Sequence, residues 1–261
     1  MATQAEKERR AAKQLRMKLR LEAELRARMR RFFGKQNRRF LGLFENTGLT
    51  LNMEEFRPEL FNILFKHYDK TGRKFHRLVM REINQALRAV DQLTIDDDHP
   101  ELVGLLLAFA AESVAQSVDQ ILGTSQKQIN QALQDTGRDA RASYEQLQTH
   151  NLPRANTIAA TETQKASEGS KGATVRQAQN IVAGGLTAAV QLEALKEWVP
   201  RNDTKVRPAH EAARFQRQPE KLPFVVGGEF LMYPGDWSLG ASPWNLVNCR
   251  CVALYFFGVL I

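Results

Sequence analysis

Residues 198–251 read WVPRNDTKVRPAHEAARFQRQPEKLPFVVGGEFLMYPGDWSLGASPWNLVNCRC. Short apolar stretches, Phe224–Val226, Phe230–Tyr233 and Cys249–Phe257, alternate there with Pro- and Gly-bearing turns, the texture of a small β element. Gly227-Gly228 predicts a hairpin turn between the first two, and Val252–Phe257 predicts the closing strand of a small sheet. Everything upstream is patterned for helix. The expected fold is mainly α, a long helical N-terminal region followed by a small α+β C-terminal domain.

Upstream, Leu186 to Val199 carries the chain from a soft helix that starts at Pro153 and breaks at Gly184 and Gly185. Residues 124–149 predict a Gln-rich polar helix interrupted near Gly137. Residues 101–123 are the most apolar part, read as a buried helix and too polar after Ala111 to span a membrane. Asp96, Asp97, Asp98 and Pro100 mark a boundary, with acids placed to favour the positive N-terminal end of the next helix. Between Asn52 and Asp91, apolar residues at 3–4 spacing (Phe56, Leu60, Ile63, Leu64, then Phe75, Leu78, Val79, Ile83, Leu87) predict two helices broken near Asp69–Gly72. That break lacks the repeated carboxylates of a calcium loop, and His67 and His76 beside it read as packing or surface residues. Residues 3–33 hold no Gly or Pro, and Leu15, Leu19, Met29 and Phe33, with Leu21 and Leu25 beside them, draw a thin apolar stripe along a basic rod. Gly34 and Gly48 bracket a short connector. The expected units are a basic helical arm (1–40), a helical domain (41–150), a helical connector (151–197) and the α+β domain (198–261).

The charge is lopsided. Residues 1–40 carry fourteen Lys and Arg against four Glu, a net of +10; the whole chain is +8, so residues 41–261 sum to −2. A solvated helix docking its stripe on a neighbour explains this arm, and so does an electrostatic surface for DNA phosphates or an acidic protein, or for a membrane surface. The residues that would make the DNA or protein contact are Arg9, Arg10, Lys13, Arg16, Arg20, Arg26, Arg30 and Arg31. Few aromatics accompany them, so base stacking is not expected. Two cysteines one residue apart do not build a disulfide framework, which suits a reducing compartment.

His210, Cys249 and Cys251 are the one cluster of zinc-ligand types, and cysteines at i and i+2 on a strand share a face. A fourth ligand would be Asp203, Asp236 or water. The other reading is structural. Asp203 and Arg207 would then form an i,i+4 ion pair at a helix start that Asp203 caps, His210 would bond a strand backbone, and the thiols would be buried as small hydrophobes. Asn248 would fix a turn. A Cys–His–Asp nucleophile finds no glycine loop for an oxyanion, and the clustered acids of a metal nuclease are missing, so no catalytic residue is assigned.

In order along the chain stand Ala159–Thr163 (AATET), Trp198, Asp203, Val206, Arg207, His210, Phe224 to Gly228, Pro234 to Asp236 and Asn248 to Cys251. This ordered set resembles the C-terminal domain of the Mu-F-like phage head morphogenesis (minor head) proteins, over roughly residues 154–255. Some members carry Cys-x-x-Cys where this chain has Arg207 to His210, and His-Pro-Asn-Cys where it has Leu246 to Cys249, which implies a metal staple of which this chain keeps part. The resemblance implies a non-enzymatic minor head protein of a tailed phage or phage-like particle. Such a protein would be present in several copies at the head interior or portal vertex, assembled in the host cytoplasm. Its expected partners are the portal or major capsid protein and, through the basic arm, genome DNA.

Overall fold

The computed structural model describes residues 3–91, 93–186 and 190–260. Four long helices carry the N-terminal part, α1 (Gln4–Thr47), α2 (Arg57–Asp91, entered through a 3-10 turn at Met53–Phe56), α3 (Pro100–Asp135) and α4 (Ala140–Ile181). A π turn at Val182–Leu186 follows. The C-terminal part holds β1 (Gln191–Val199), α5 (Pro208–Ala212), β2 (Arg217–Pro219), β3 (Phe224–Val226), β4 (Glu229–Leu231), α6 (Pro243–Leu246) and β5 (Val252–Leu260). The mainly α fold with a small sheet-bearing C-terminal region is as expected.

α1 is longer than its sequence pattern indicates. A capping box starts it, Thr3 Oγ1 accepting from the Glu6 amide while Glu6 Oε2 accepts from the Thr3 amide at 2.7 Å. The helix runs through Gly34 to a left-handed Gly48 (φ 67°), because Phe32, Phe33, Phe40 and Phe44 continue the buried stripe. That burial outweighs the ~1 kcal/mol cost of a helical glycine. The stripe is also rotated from expectation, with Leu21, Leu25, Met29 and Phe33 buried but Leu19 40% exposed. Residues 1–40 are thus not a separate arm: α1 lies along α4 and adds its apolar face to the main core.

α2 is a single helix, without the expected break at Asp69–Gly72. Tyr68 and Phe75 stay buried on either side, and Asp69 pairs with Arg73 one turn on at 2.7 Å. Gly72 serves a close approach instead of a turn: a Cβ there would sit 2.8 Å from Ser170 Oγ. α3 and α4 are joined by a tight turn in which Gly137 (φ 61°) and Arg138 (φ 67°) are left-handed, at the interruption expected from the sequence. By length and composition α3 is long and apolar enough to cross a membrane, contrary to the expectation for 101–123. Here Leu102, Leu106, Ala110, Val114 and Val118 form its buried face, and it packs on α2 and α4.

α4 is the axis of the molecule. It passes through Pro153 without ending, and α1, α2 and α3 all pack on it. Every residue from Thr161 to Val175 is buried, so this stretch has no solvent face and no amphipathic stripe. Small residues permit the approach; at Gly169 a Cβ would lie 2.2 Å from the Phe109 ring. The boundaries expected at 150/151 and 197/198 therefore fall inside α4 and β1. The expected connector is the central helix plus a strand.

β1, placed in that helical connector by its sequence, alternates exposed and buried positions over its first six residues, is buried from Lys196 to Val199, and pairs antiparallel with β2 and β5, in the order β2-β1-β5. Trp198 faces Ala253 across the β1–β5 ladder. The β3–β4 hairpin turns through Gly227 and Gly228, whose φ values of 59° and 81° are those of a type I′ turn.

A buried His–Cys–Cys cluster and the basic surfaces around it

His210 sits on the short α5, which starts at Pro208 because proline's fixed φ suits a first helical position. Asp203 does not cap that helix or pair with Arg207, since residues 203–206 are outside it and the i,i+4 geometry never forms. Instead Asp203 accepts both guanidinium nitrogens of Arg250 (2.8 and 2.7 Å), pairs with Arg201 at 2.9 Å and accepts the Lys205 amide at 3.0 Å. Although desolvation opposes it, the Lys205 amide and Arg250 hold the Asp203 carboxyl below its usual range. Arg207 donates to the Val247 carbonyl at 2.5 Å and lies 5.6 Å from the Trp244 ring centre. Asn248 takes the left-handed conformation (φ 55°) expected of a turn, and its amide donates to Thr161 Oγ1 at 3.2 Å. The turn aims Cys249 and Cys251 inward.

The three candidate ligands meet. His210 Nδ1 is 3.3 Å from Cys251 Sγ and 3.7 Å from Cys249 Sγ, and all three side chains are buried. Trp198 closes one side, edge-on to the imidazole with ring centres 5.5 Å apart, and stacks edge-on against Phe224 on its own other side. A tetrahedral zinc with bonds of about 2.0 Å to nitrogen and 2.3 Å to sulfur needs N···S separations of roughly 3.5 Å, which these distances bracket. The donor set thus fits three corners of a tetrahedral site. Neither expected carboxylate joins it, and among the described residues the ligand group is these three alone. Asp236 is used up in its own turn, accepting from the Met232 and Ser238 amides at 2.9 Å each.

The two thiols titrate as a pair. Burial pushes Cys251 up, and a charge on Cys249 beside it adds to the shift. At Cys249 burial is outweighed by hydrogen bonds from Cys251 and His210, which pull the thiol down. His210 Nε2 is buried with no hydrogen-bond partner, so no carboxylate orients the ring as a nucleophilic triad requires. Beside the cluster a cleft of 450 Å³ opens over His210 and Cys251, walled by Arg201, Lys205, Arg207, Arg250 and Glu22.

The cations assigned to DNA or protein contact divide. Arg9, Lys13, Arg16, Arg20, Arg30 and Arg31 are exposed on α1, whereas Arg10 and Arg26 are half-buried. Arg10 is structural, bonding Glu82 at 2.7 Å and the Tyr255 carbonyl at 2.8 Å.

Sequence reading missed a buried polar set from α1 and α4. Lys18, Gln164, Glu168 and Lys171 satisfy the outer edge of β5. Their one signal was the lack of any apolar stripe in residues 161–175, which marks a helix buried on all sides. Comparison with protein-family models, curated proteins and solved structures returned no match to this chain.

Proposed function

We propose that this chain is a minor head protein of a tailed phage or phage-like particle, acting by binding and without catalysis. The observation that carries the reading is convergence. Trp198, His210, Phe224, Cys249 and Cys251, quoted above as scattered pieces of one family pattern, belong to a single buried cluster. Such a cluster stabilises a small interaction module, and the metal-ligand spacing of His210, Cys249 and Cys251 supports a zinc staple within it. Glu168 and Lys171 of α4 hydrogen-bond Ala253 of β5, so the helical part and the C-terminal part would engage a portal or capsid surface as one body. Partners on this reading are the portal or major capsid protein, in several copies per particle, at the head interior or portal vertex.

A pull-down of the purified chain against portal oligomer and against nonspecific duplex DNA, across a salt series, tests it. Portal retention that survives salt is expected. No portal retention at any salt, with DNA binding intact, would replace this reading with that of a protein that conditions packaged DNA. The outward cations of α1 favour that second reading.

A further inference from the structure

Arg28, Arg31, Lys35 and Arg38 follow one another at three- and four-residue steps, which sets them in a row on α1. At 1.5 Å per residue the steps are about 4.5–6 Å and the row is about 15 Å long. With α2 the row bounds an open groove of about 830 Å³, whose far wall is Glu59, Asn62, Ile63 and Lys66. Glu59 is the one acid lining it, and it is engaged by Lys35 at 2.5 Å. Among the described residues, Arg28, Arg31, Arg38 and Lys66 make no hydrogen bond and no ion pair. Among the described residues Lys13, Arg16, Arg20 and Arg39 of α1 are also exposed without an ion pair, so the groove differs from them in gathering its cations around one concavity. Four cations without a hydrogen-bonded or ion-paired partner around one concavity repel each other, Arg28 feeling the Glu24 carboxylate only at longer range, and the low-dielectric walls focus their potential into the groove.

We propose that this groove binds the phosphate backbone of a nucleic acid, without reading its sequence. A nucleic-acid strand supplies a line of negative charge, one about every 3.4 Å of rise, along which Arg28, Arg31 and Arg38 on one wall and Lys66 on the other can each meet a phosphate. Three of the four unmatched groups are arginines, whose planar fork binds phosphate oxygens in pairs. The groove's aromatic residue, Phe32, is only 1% exposed, so bases have no ring to stack on and the contact is with the backbone. Lys66 comes from α2, so the site is formed by the folded helix pair and not by the basic segment alone. The inference rests on the second reading above, DNA binding, and does not need the portal: failure to retain portal would sink the head-protein reading and leave the groove standing.

The test is fluorescence anisotropy of the full chain with a mixed-sequence duplex, between 50 and 200 mM salt. Removing four phosphate contacts lowers the slope of log affinity against log salt by about 3–4. That loss is expected for the quadruple variant Arg28→Gln, Arg31→Gln, Arg38→Gln, Lys66→Gln. A matched variant at the other end of α1 (Arg9→Gln, Lys13→Gln, Arg16→Gln, Arg20→Gln) removes the same charge and should leave most of the slope. Equal losses in both variants, or no loss in the first, would overturn the proposal. So would a groove that binds an acidic peptide and no duplex. Acetylation of the unmodified protein is an independent check: bound duplex should protect Lys66 more than Lys127, and equal protection would count against the groove.

Discussion

The Glu168 carboxylate accepts the backbone amide of Ala253 at 2.9 Å, and one turn along α4 Lys171 donates to the carbonyl of the same residue at 2.7 Å. A buried helix thus does for β5 what another strand would do. β5 is an edge in the order β2-β1-β5, and its outward groups would otherwise lie unpaired in the core. Lys18 and Gln164 complete the pattern at the Cys251 carbonyl (3.2 and 2.8 Å), and Arg10 does so at Tyr255. Lys18 and Lys171 also flank Glu168 at 2.5 and 2.7 Å, so the charges that cap the strand compensate each other. Burial opposes the charge on Glu168, but the two lysines outweigh it and keep the carboxyl below its usual range.

Removing Glu168 should therefore be severe. Glu168→Ala leaves two buried ammonium groups uncompensated and an amide orphaned, at a cost of about 3–5 kcal/mol in urea denaturation. A loss below about 1 kcal/mol would mean that water reaches the site.

The lysines predict a pH dependence of stability. Desolvation, partly offset by Glu168, lowers Lys171 to about 8, and Lys196 is likewise lowered to about 8 by burial. Between about pH 8 and 10.4, the unfolded value, the unfolded chain binds more protons than the folded one, so stability rises with pH. Above about pH 10 the trend reverses, because burial raises Tyr68 and Tyr255 and only the unfolded chain gives up those protons. Denaturation midpoints measured from pH 7 to 11 should pass through a maximum, and Lys171→Met should flatten the rising limb.

Metal analysis addresses the His–Cys–Cys cluster. The expected result is one zinc per chain, lost in Cys249→Ser, Cys251→Ser and His210→Ala, with a fall in melting temperature on chelation. Metal-free protein whose stability ignores both zinc and chelator would leave the cysteines as buried packing residues.

Gly169→Ala should destabilise by about 1–3 kcal/mol, since its Cβ would overlap the Phe109 ring. Adding Phe109→Leu should recover part of the loss. A neutral Gly169→Ala would show that α3 can shift along α4.

A double-mutant cycle separates the partners of Asp203. Its coupling to Arg250 is expected at about 0.5–1 kcal/mol, modest because both side chains are about a quarter exposed, and its coupling to Arg207 near zero. The reverse order would restore the helix-start pairing that the local spacing suggested.

The parts of the fold that follow from neighbouring residues were legible. Gly227-Gly228 between two apolar triplets specifies a hairpin because a type I′ turn needs two positive φ angles. Gly137 interrupts the Gln-rich stretch because it ends α3 in a left-handed turn. The strand expected from Cys249 begins only at Val252, so Cys249 and Cys251 meet His210 from the irregular segment after the left-handed Asn248 and not through a strand repeat. Gly34, Gly72 and Pro153 were misread for the complementary reason. Each disfavours helix locally, yet each lies within a helix whose buried contacts outweigh that preference.

Local pattern is enough to show that the chain is helical up to its last third, that the turns there belong to a small sheet, and that one histidine and two cysteines are the ligand types available there. That the softest helix is the axis and that β1 is a strand follows from packing across the whole chain. The same packing buries Glu168, Lys18 and Lys171 against β5, and sets Lys66 facing the arginine row of α1. The physical reason is range. Turn and strand preferences act over a few residues, whereas covering a sheet edge and cancelling buried charges depend on groups up to 245 residues apart in the chain.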